Sequence, residues 1–260
     1  MNFDLPYLPE RTTGDRDYGL TMMMDKGLSL KEAENFVDSS TPFTDLVKFA
    51  FGTALITRDL KEKVRLYQQA GLKPYFGGTL FEMFIVRDQF DAFRKFVSES
   101  GLTHVEVSDG SIRMEHNDKL RCIEILTKDF SVLSEVGSKV KGVELPNEVW
   151  VSNMKTELET GAWKVIAEAR ESGTIGIYQS DGSANKELID DIMREISVKD
   201  VLWEAPNKAQ QTMFIKLVGP NVNLGNIPPG EVVALEALRC GMRGDTFFDV
   251  LPEQFQSRKL

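Results

Sequence analysis

Short apolar runs alternate with longer stretches of helical period eight times along this chain. The runs that read as strands are 19–24, 45–51, 73–77, 103–108, 131–136, 164–169, 201–205 and 221–225. Amphipathic stretches at about 30–38, 58–70, 86–100, 117–128, 147–161, 186–196, 208–218 and 229–241 read as helices. Brief strands each followed by a helix are the signature of a parallel α/β fold. Eight such units without a break in composition predict one (β/α)8 barrel of TIM type with parallel strands. An open doubly wound sheet is the structural alternative. It would carry a glycine-rich dinucleotide loop after the first strand, and no such loop is present.

Punctuation residues agree with these elements. Ser29 lies three residues before Glu32, the spacing of a capping box. Gly71, Gly101 and Gly161 each close an amphipathic stretch. Pro228 and Pro229 can open the last helix, because proline is tolerated in a first turn. Residues 1–18 carry several turn-forming residues and read as an arm covering one end of the barrel. Residues 249–260 read as a frayed tail. The 260 residues are therefore expected to form a single domain, close to the usual length of one barrel.

The strand parity carries the chemistry. Lys48 stands between Val47 and Phe49, Glu106 between Val105 and Val107, and Glu135 before Val136. Glu168 stands between alanines with Arg170 on the same face, Glu204 between Trp203 and Ala205, and Asn223 between Val222 and Leu224. Side chains alternate along a strand, so if the apolar parity meets the helices these polar residues face the barrel interior. Converging carboxylates repel one another unless cations share the space. Lys26, Lys48, Lys139 and Arg170 can supply protein cations. A hard divalent ion, Mg2+, can supply the rest through oxygen ligands, with Glu106, Glu168 and Glu204 as the expected ligands. Structural ion pairing near the barrel mouth is the competing reading for each acid.

Composition narrows the classes. The formal net charge is −9, with no basic stripe, which argues against a nucleic-acid partner. No apolar run is long enough for a membrane span, so no membrane partner is expected. Two cysteines outside any paired motif fit a reducing, cytoplasmic setting. With only His104 and His116 present, acid–base work must rest on Lys, Arg, Asp or Glu. Lys61-Glu62-Lys63 reads as a solvated helix face. Three glycine-bearing segments invite an anion: Gly77-Gly78-Thr79, Gly173–Gly176, and Arg239–Thr246 with its arginines Arg239 and Arg243. Glycine geometry alone explains each of them equally well.

Nine stretches together resemble one family. They are GLTMMMDKGL (19–28), VKFAFGT (47–53), FGGTLFE (76–82), VEVSDG (105–110) and LSEVGSK (133–139), followed by IAEARESG (166–173), WEAPNKAQQ (203–211), VNLGNI (222–227) and LEALRCGMRGDT (235–246). In this order they resemble the phosphosulfolactate synthase family, which also includes plant heat-stress-associated proteins. The resemblance implies a lyase that adds sulfite to C3 of phosphoenolpyruvate with Mg2+, giving (2R)-3-phosphosulfolactate. Such a product feeds coenzyme M or other sulfonate biosynthesis. The resemblance places the family's general-acid lysine on Lys139. Its other motif cations fall on Lys26, Lys48 and Arg170.

The expected catalytic group is therefore Lys139, Lys26 and Glu135. The expected substrate-binding group is Lys48, Arg170, Arg243 and Asn223, and assembly with copies of itself is expected. The second motif departs from the family's KFGWGTS at Ala50, Phe51 and Ala54, and the arm carries Gly14-Asp15-Arg16. A family member that binds without turnover is the alternative function.

Overall fold

The computed structural model describes residues 3–137, 145–169, 172, 174, 176–179 and 181–256. Strands and helices alternate along the chain. They are β1 (Thr21–Asp25), α1 (Leu30–Ser40), β2 (Leu46–Phe49), α2 (Leu60–Gln69), β3 (Lys73–Phe76), α3 (Gly78–Ile85), α4 (Phe90–Glu99), β4 (His104–Ser108) and α5 (His116–Leu126). The chain continues through β5 (Ser131–Val136), α6 (Asn147–Glu159), β6 (Lys164–Ala167), α7 (Lys186–Glu195), β7 (Val201–Glu204), α8 (Lys208–Val218), β8 (Leu224–Ile227), α9 (Val232–Arg239) and α10 (Glu253–Gln256). The eight strands run parallel in the order β3-β2-β1-β8-β7-β6-β5-β4. The two ends of that ladder, β3 and β4, face each other across a seam. This nearly closed barrel is the expected (β/α)8 architecture.

Parity sorts the apolar residues into two cores. Met22, Leu46, Tyr75, Leu133, Ile166 and Leu202 meet inside the barrel. Val47, Phe49, Val105, Val107, Val165 and Trp203 belong to the larger shell between strands and helices. Ile166 is wholly buried, so Ile166→Ala would cost about 2–5 kcal/mol through lost transfer energy and the cavity left behind. Helix starts follow local chemistry. Ser29 Oγ accepts from Glu32 N, and Glu32 Oε2 accepts from Ser29 N, which completes the expected capping box.

The arm lies over the amino ends of the strands. Arg11 pairs with Glu236 and donates to the carbonyl of Pro220, and Arg16 forms a two-pronged pair with Asp45, just before β2. Tyr7 touches Phe255 of α10, so part of the expected frayed tail is packed and helical.

Two elements differ from the sequence reading. The Gly77-Gly78-Thr79 segment is the start of α3, an eight-residue helix, and not a loop. Gly77 takes the extended N-cap position there, and Leu80 and Phe81 are buried. The last strand covers 224–227 in place of 221–225. Lys63 also departs from the solvated face expected of it. It is fully buried, with Nζ 2.6 Å from Asp25 Oδ2 and 2.6 Å from the Leu28 carbonyl.

Candidate active site

The carboxyl ends of the strands surround a cavity of about 390 Å3. Lys48, Glu106, Glu135, Glu168 and Glu204 all line it, each from its own strand or the residue following one. The inward parity read from the sequence therefore holds for all five. Lys48 Nζ sits 2.9 Å from Glu106 Oε1, 3.3 Å from Glu204 Oε1 and 3.4 Å from Glu135 Oε2. Burial pushes the Lys48 ammonium towards neutrality, but Glu106, Glu204 and Glu135 outweigh it and raise its pKa well above the usual lysine value. Lys48 is thus a fixed positive charge at neutral pH.

Backbone amides hold several of the acids. Gly78 N, in the first turn of α3, donates to Glu106 Oε1 across the β3–β4 seam. Ala169 N donates to Glu204 Oε2 at 2.8 Å. Ser108 Oγ lies 2.7 Å from both Glu135 Oε1 and Glu82 Oε1, and Ser111 N donates to Glu82 Oε1 at 3.0 Å. Glycine is required at the seam: a Cβ on Gly78 would lie 2.3 Å from Ser108 Cβ and 2.8 Å from Glu106 Oε1. The amide of the glycine segment serves an internal carboxylate, so Gly78 does not present it to an anion.

A β-bulge decides which asparagine reaches the mouth. Between Thr21 and Met23 of β1 there are two steps; on β8 the partners Leu224 and Ile227 are three apart. Asn226 takes φ 59°, a conformation asparagine tolerates, and lines the cavity. Its Nδ2 donates to the Ala169 carbonyl at 3.3 Å. Its Oδ1 is buried with no hydrogen-bond partner among the described residues.

Asn223 lies at the opposite end of the barrel. Its Oδ1 accepts from Leu20 N, and its Nδ2 donates to the carbonyls of Lys199 and Val201. It ties the strand starts together and does not line the cavity as expected; Asn226 does. The bulge inserts one extra residue into strand eight, which simple alternation does not foresee.

The other expected residues divide. Lys26 follows β1 and is exposed, with Nζ 5.9 Å from the centre of the Phe51 ring. Phe51 lines the cavity, so Lys26 stands at its rim. Arg243 is only partly buried and is not a lining residue. Its neighbour Arg239 is fully buried and donates to the carbonyls of Pro220, Val222 and Leu20, with burial lowering its pKa to about 9. The Arg239–Thr246 segment is therefore anchored to the amino ends of the strands and does not reach the cavity. Lys139 and Arg170 lie outside the described residues. So do Gly173 and Ile175 of the second glycine segment.

Carboxylate oxygens of Glu135, Glu168 and Glu204 approach within 4.8 Å of one another. That is the cluster a metal could use among the described residues. It includes Glu168 and Glu204 of the expected set together with Glu135, while Glu106, the third expected ligand, lines the same cavity held by Lys48 and Gly78 N.

Behind the mouth, buried pairs fix the strand ends. Asp25 binds Lys63 and accepts from Tyr67 Oη, Gly27 N and Leu28 N. Lys119 Nζ donates to the Glu135 carbonyl at 2.6 Å and to Asp109 and Glu157 at 2.9 Å.

The family described as (2R)-phospho-3-sulfolactate synthase (ComA) matches residues 9–245. The chain belongs to this family. It is 40% identical to phosphosulfolactate synthase of Bacillus subtilis over 246 residues, 93% of this chain and 97% of the relative. It is 40% identical to the Methanocaldococcus jannaschii phosphosulfolactate synthase over 240 residues, 90% and 95% of the two chains. The barrel of this family member also resembles more distant solved structures. The 3-keto-L-gulonate-6-phosphate decarboxylase of Vibrio cholerae superposes with TM-score 0.56 at 10% identity, over 90% of this chain and all of that one. The 3-hexulose-6-phosphate synthase of Salmonella typhimurium gives 0.54 at 13%, over 84% and 97%. These two share the fold. Among the described residues, no helix is long and apolar enough to cross a membrane.

Proposed function

We propose that this phosphosulfolactate synthase family member is a lyase that adds sulfite to C3 of phosphoenolpyruvate, giving (2R)-phospho-3-sulfolactate, and that it requires Mg2+. The observation that carries the reading is the ring of Glu106, Glu135, Glu168 and Glu204 around a permanently charged Lys48 in a cavity of small-molecule size. The residues fit a hard cation. Glu135, Glu168 and Glu204 offer oxygens only, and the buried Asn226 Oδ1 adds a neutral oxygen beside them. When bound, Mg2+ would supply Lewis-acid stabilisation to substrate oxygens.

The chain's own residues have separate tasks. Sulfite sulfur attacks C3, and the C2–C3 π electrons move towards C2 and its carboxylate. Lys48 offsets that charge as it develops, which is stabilisation stronger in the transition state than in the ground state. Lys26, at the rim, and Arg170 offer further cations for two anionic substrates. Lys139 gives its proton to C2, leaving a neutral amine that solvent reprotonates. Chain direction supports this role: β5 leaves the barrel at Gly137, which passes directly against Glu168. The same reading includes a cytoplasmic setting and assembly with copies of itself. The test is to incubate the purified protein with phosphoenolpyruvate, sulfite and Mg2+ and follow phosphorus NMR. A new phosphomonoester resonance that requires sulfite is expected; its absence with folded protein overturns the reading in favour of a binding role.

A further inference from the structure

Asp25 and Lys63 form a buried ion pair that the proposed chemistry does not use. Both side chains are wholly inaccessible, with Lys63 Nζ 2.6 Å from Asp25 Oδ2. Taking two charges out of water is costly, and apolar side chains of similar size would fill the same space without that cost. What apolar side chains could not supply is a grip on backbone. Asp25 Oδ1 accepts from Gly27 N and from Leu28 N, both at 2.8 Å, and Lys63 Nζ donates to the Leu28 carbonyl at 2.6 Å. Tyr67, one turn further along α2, donates its hydroxyl to Asp25 Oδ2 at 2.9 Å. The bonds to backbone all end on the two residues that follow Lys26. Gly27 takes φ 124°, which lets the chain turn immediately beyond Lys26.

The same pair supports the facing side of the rim. Lys63 Nζ lies 5.2 Å from the centre of the Phe49 ring, and Tyr67 packs edge-on against that ring. Phe49 leads into Phe51, whose φ of 55° is uncommon for a bulky residue and sets its ring at the cavity, 5.9 Å from Lys26 Nζ. We propose that Asp25, Lys63 and Tyr67 are positioning residues that latch the 26–28 turn and so hold Lys26 at the mouth as the docking cation for an oxyanion group of the substrate. They touch no substrate and act through the backbone of the turn. A lysine has a long, flexible stem, so fixing its root reduces what must be ordered when the anion arrives. The docking role of Lys26 rests on the sulfite-addition reading, with phosphoenolpyruvate supplying the oxyanion; the latch itself does not.

Calorimetric titration of phosphoenolpyruvate without sulfite reads the docking cation in the absence of turnover. Lys26→Met is expected to weaken binding about tenfold, the scale of one hydrogen bond to a charged group. Lys63→Met leaves Lys26 in the chain and is expected to weaken binding to a similar degree. Added to Lys26→Met, it is expected to weaken binding no further, because both changes remove the same contact. A full additional loss in the double variant overturns the proposal, as does wild-type affinity in either single variant. Tyr67→Phe keeps the ion pair and removes one donor to Asp25, so it carries the test if Lys63→Met does not fold. Binding about threefold weaker is expected there, again only where Lys26 is present. Hydrogen exchange reads the latch itself. The Gly27 and Leu28 amides are expected to exchange several-fold faster in Lys63→Met and in Tyr67→Phe than in the wild type, and unchanged exchange overturns the latch. A wild-type protein that binds no phosphoenolpyruvate fails the sulfite-addition reading and the docking role with it, whereas binding that is indifferent to these substitutions fails the docking role alone.

Discussion

Lys48 Nζ stands 2.9 Å from Glu106 Oε1, and that carboxylate also accepts from Gly78 N at the head of α3. One contact joins β2 to β4 through the barrel interior, and the other closes the seam that the strand ladder leaves open. The reactive end of the barrel and its closure thus depend on the same carboxylate.

Replacing Lys48 by Met should destabilise the fold. Removing one partner of a buried charge group leaves the others uncompensated, at a cost of about 3–5 kcal/mol. For a chain of this size that corresponds to a Tm lowered by roughly 6–20 °C. The sign with pH follows from the raised pKa of Lys48. Its contribution is complete below the ordinary lysine value and is lost only as pH rises through the higher folded value. Thermal melts of both proteins should therefore show the gap unchanged between pH 7 and pH 9. A gap under about 2 °C would mean the carboxylates do not need the lysine.

Gly78→Ala should be strongly destabilising, because the added methyl meets Ser108 Cβ and Glu106 at the seam. Overpacking of this kind costs about 1–3 kcal/mol or more. Gly244→Ala is the control, since nothing lies within 4 Å of the added carbon. Denaturant unfolding of the two variants should separate them; equal stability would show that the seam can relax.

Acid should weaken the fold through His104. This ring is buried at the start of β4, edge-on to Trp163, with Nδ1 2.9 Å from Thr103 Oγ1. Burial, aided by Lys73, lowers its pKa to about 4. A depressed folded pKa means the stability is complete above the unfolded value of 6.5 and is lost as pH falls through about 4. The loss is on the order of 3 kcal/mol over that window. His104→Gln should flatten the fall in stability between pH 6.5 and pH 4, as measured by urea unfolding at a series of pH values. An unchanged slope would assign the acid sensitivity elsewhere.

Magnesium binding should depend on Glu168. Glu168→Gln keeps the size and removes one charge from the Glu135–Glu168–Glu204 cluster. Calorimetric titration of Mg2+ should show affinity reduced at least about tenfold, a scale typical of disturbed metal sites. Equal affinity in the two proteins would exclude the cluster as the binding site.

Lys139→Met should leave folding and phosphoenolpyruvate binding intact and reduce turnover about 100-fold or more, the range of a positioned acid. The check is steady-state kinetics beside a direct binding measurement. Near-normal turnover would transfer the acid role to Lys26 at the rim.

Local pattern determined much of this protein. Because alternation along a strand is a property of the backbone, the sequence alone placed Lys48, Glu106, Glu135, Glu168 and Glu204 on the inner face of one barrel. The capping box at Ser29 was equally local. Tertiary structure decided what no single segment contains. The bulge in β8 exchanged Asn223 for Asn226, because register depends on the neighbouring strand β1. Lys63 became a buried partner of Asp25, and Arg239 a tie between carbonyls, because only packing sets a charged group beside its partner. Glu82 reached Ser108 and Glu135 across a seam between segments distant in sequence. Periodicity reports which face a side chain occupies, whereas the partner it meets there is fixed by the closure of the whole barrel.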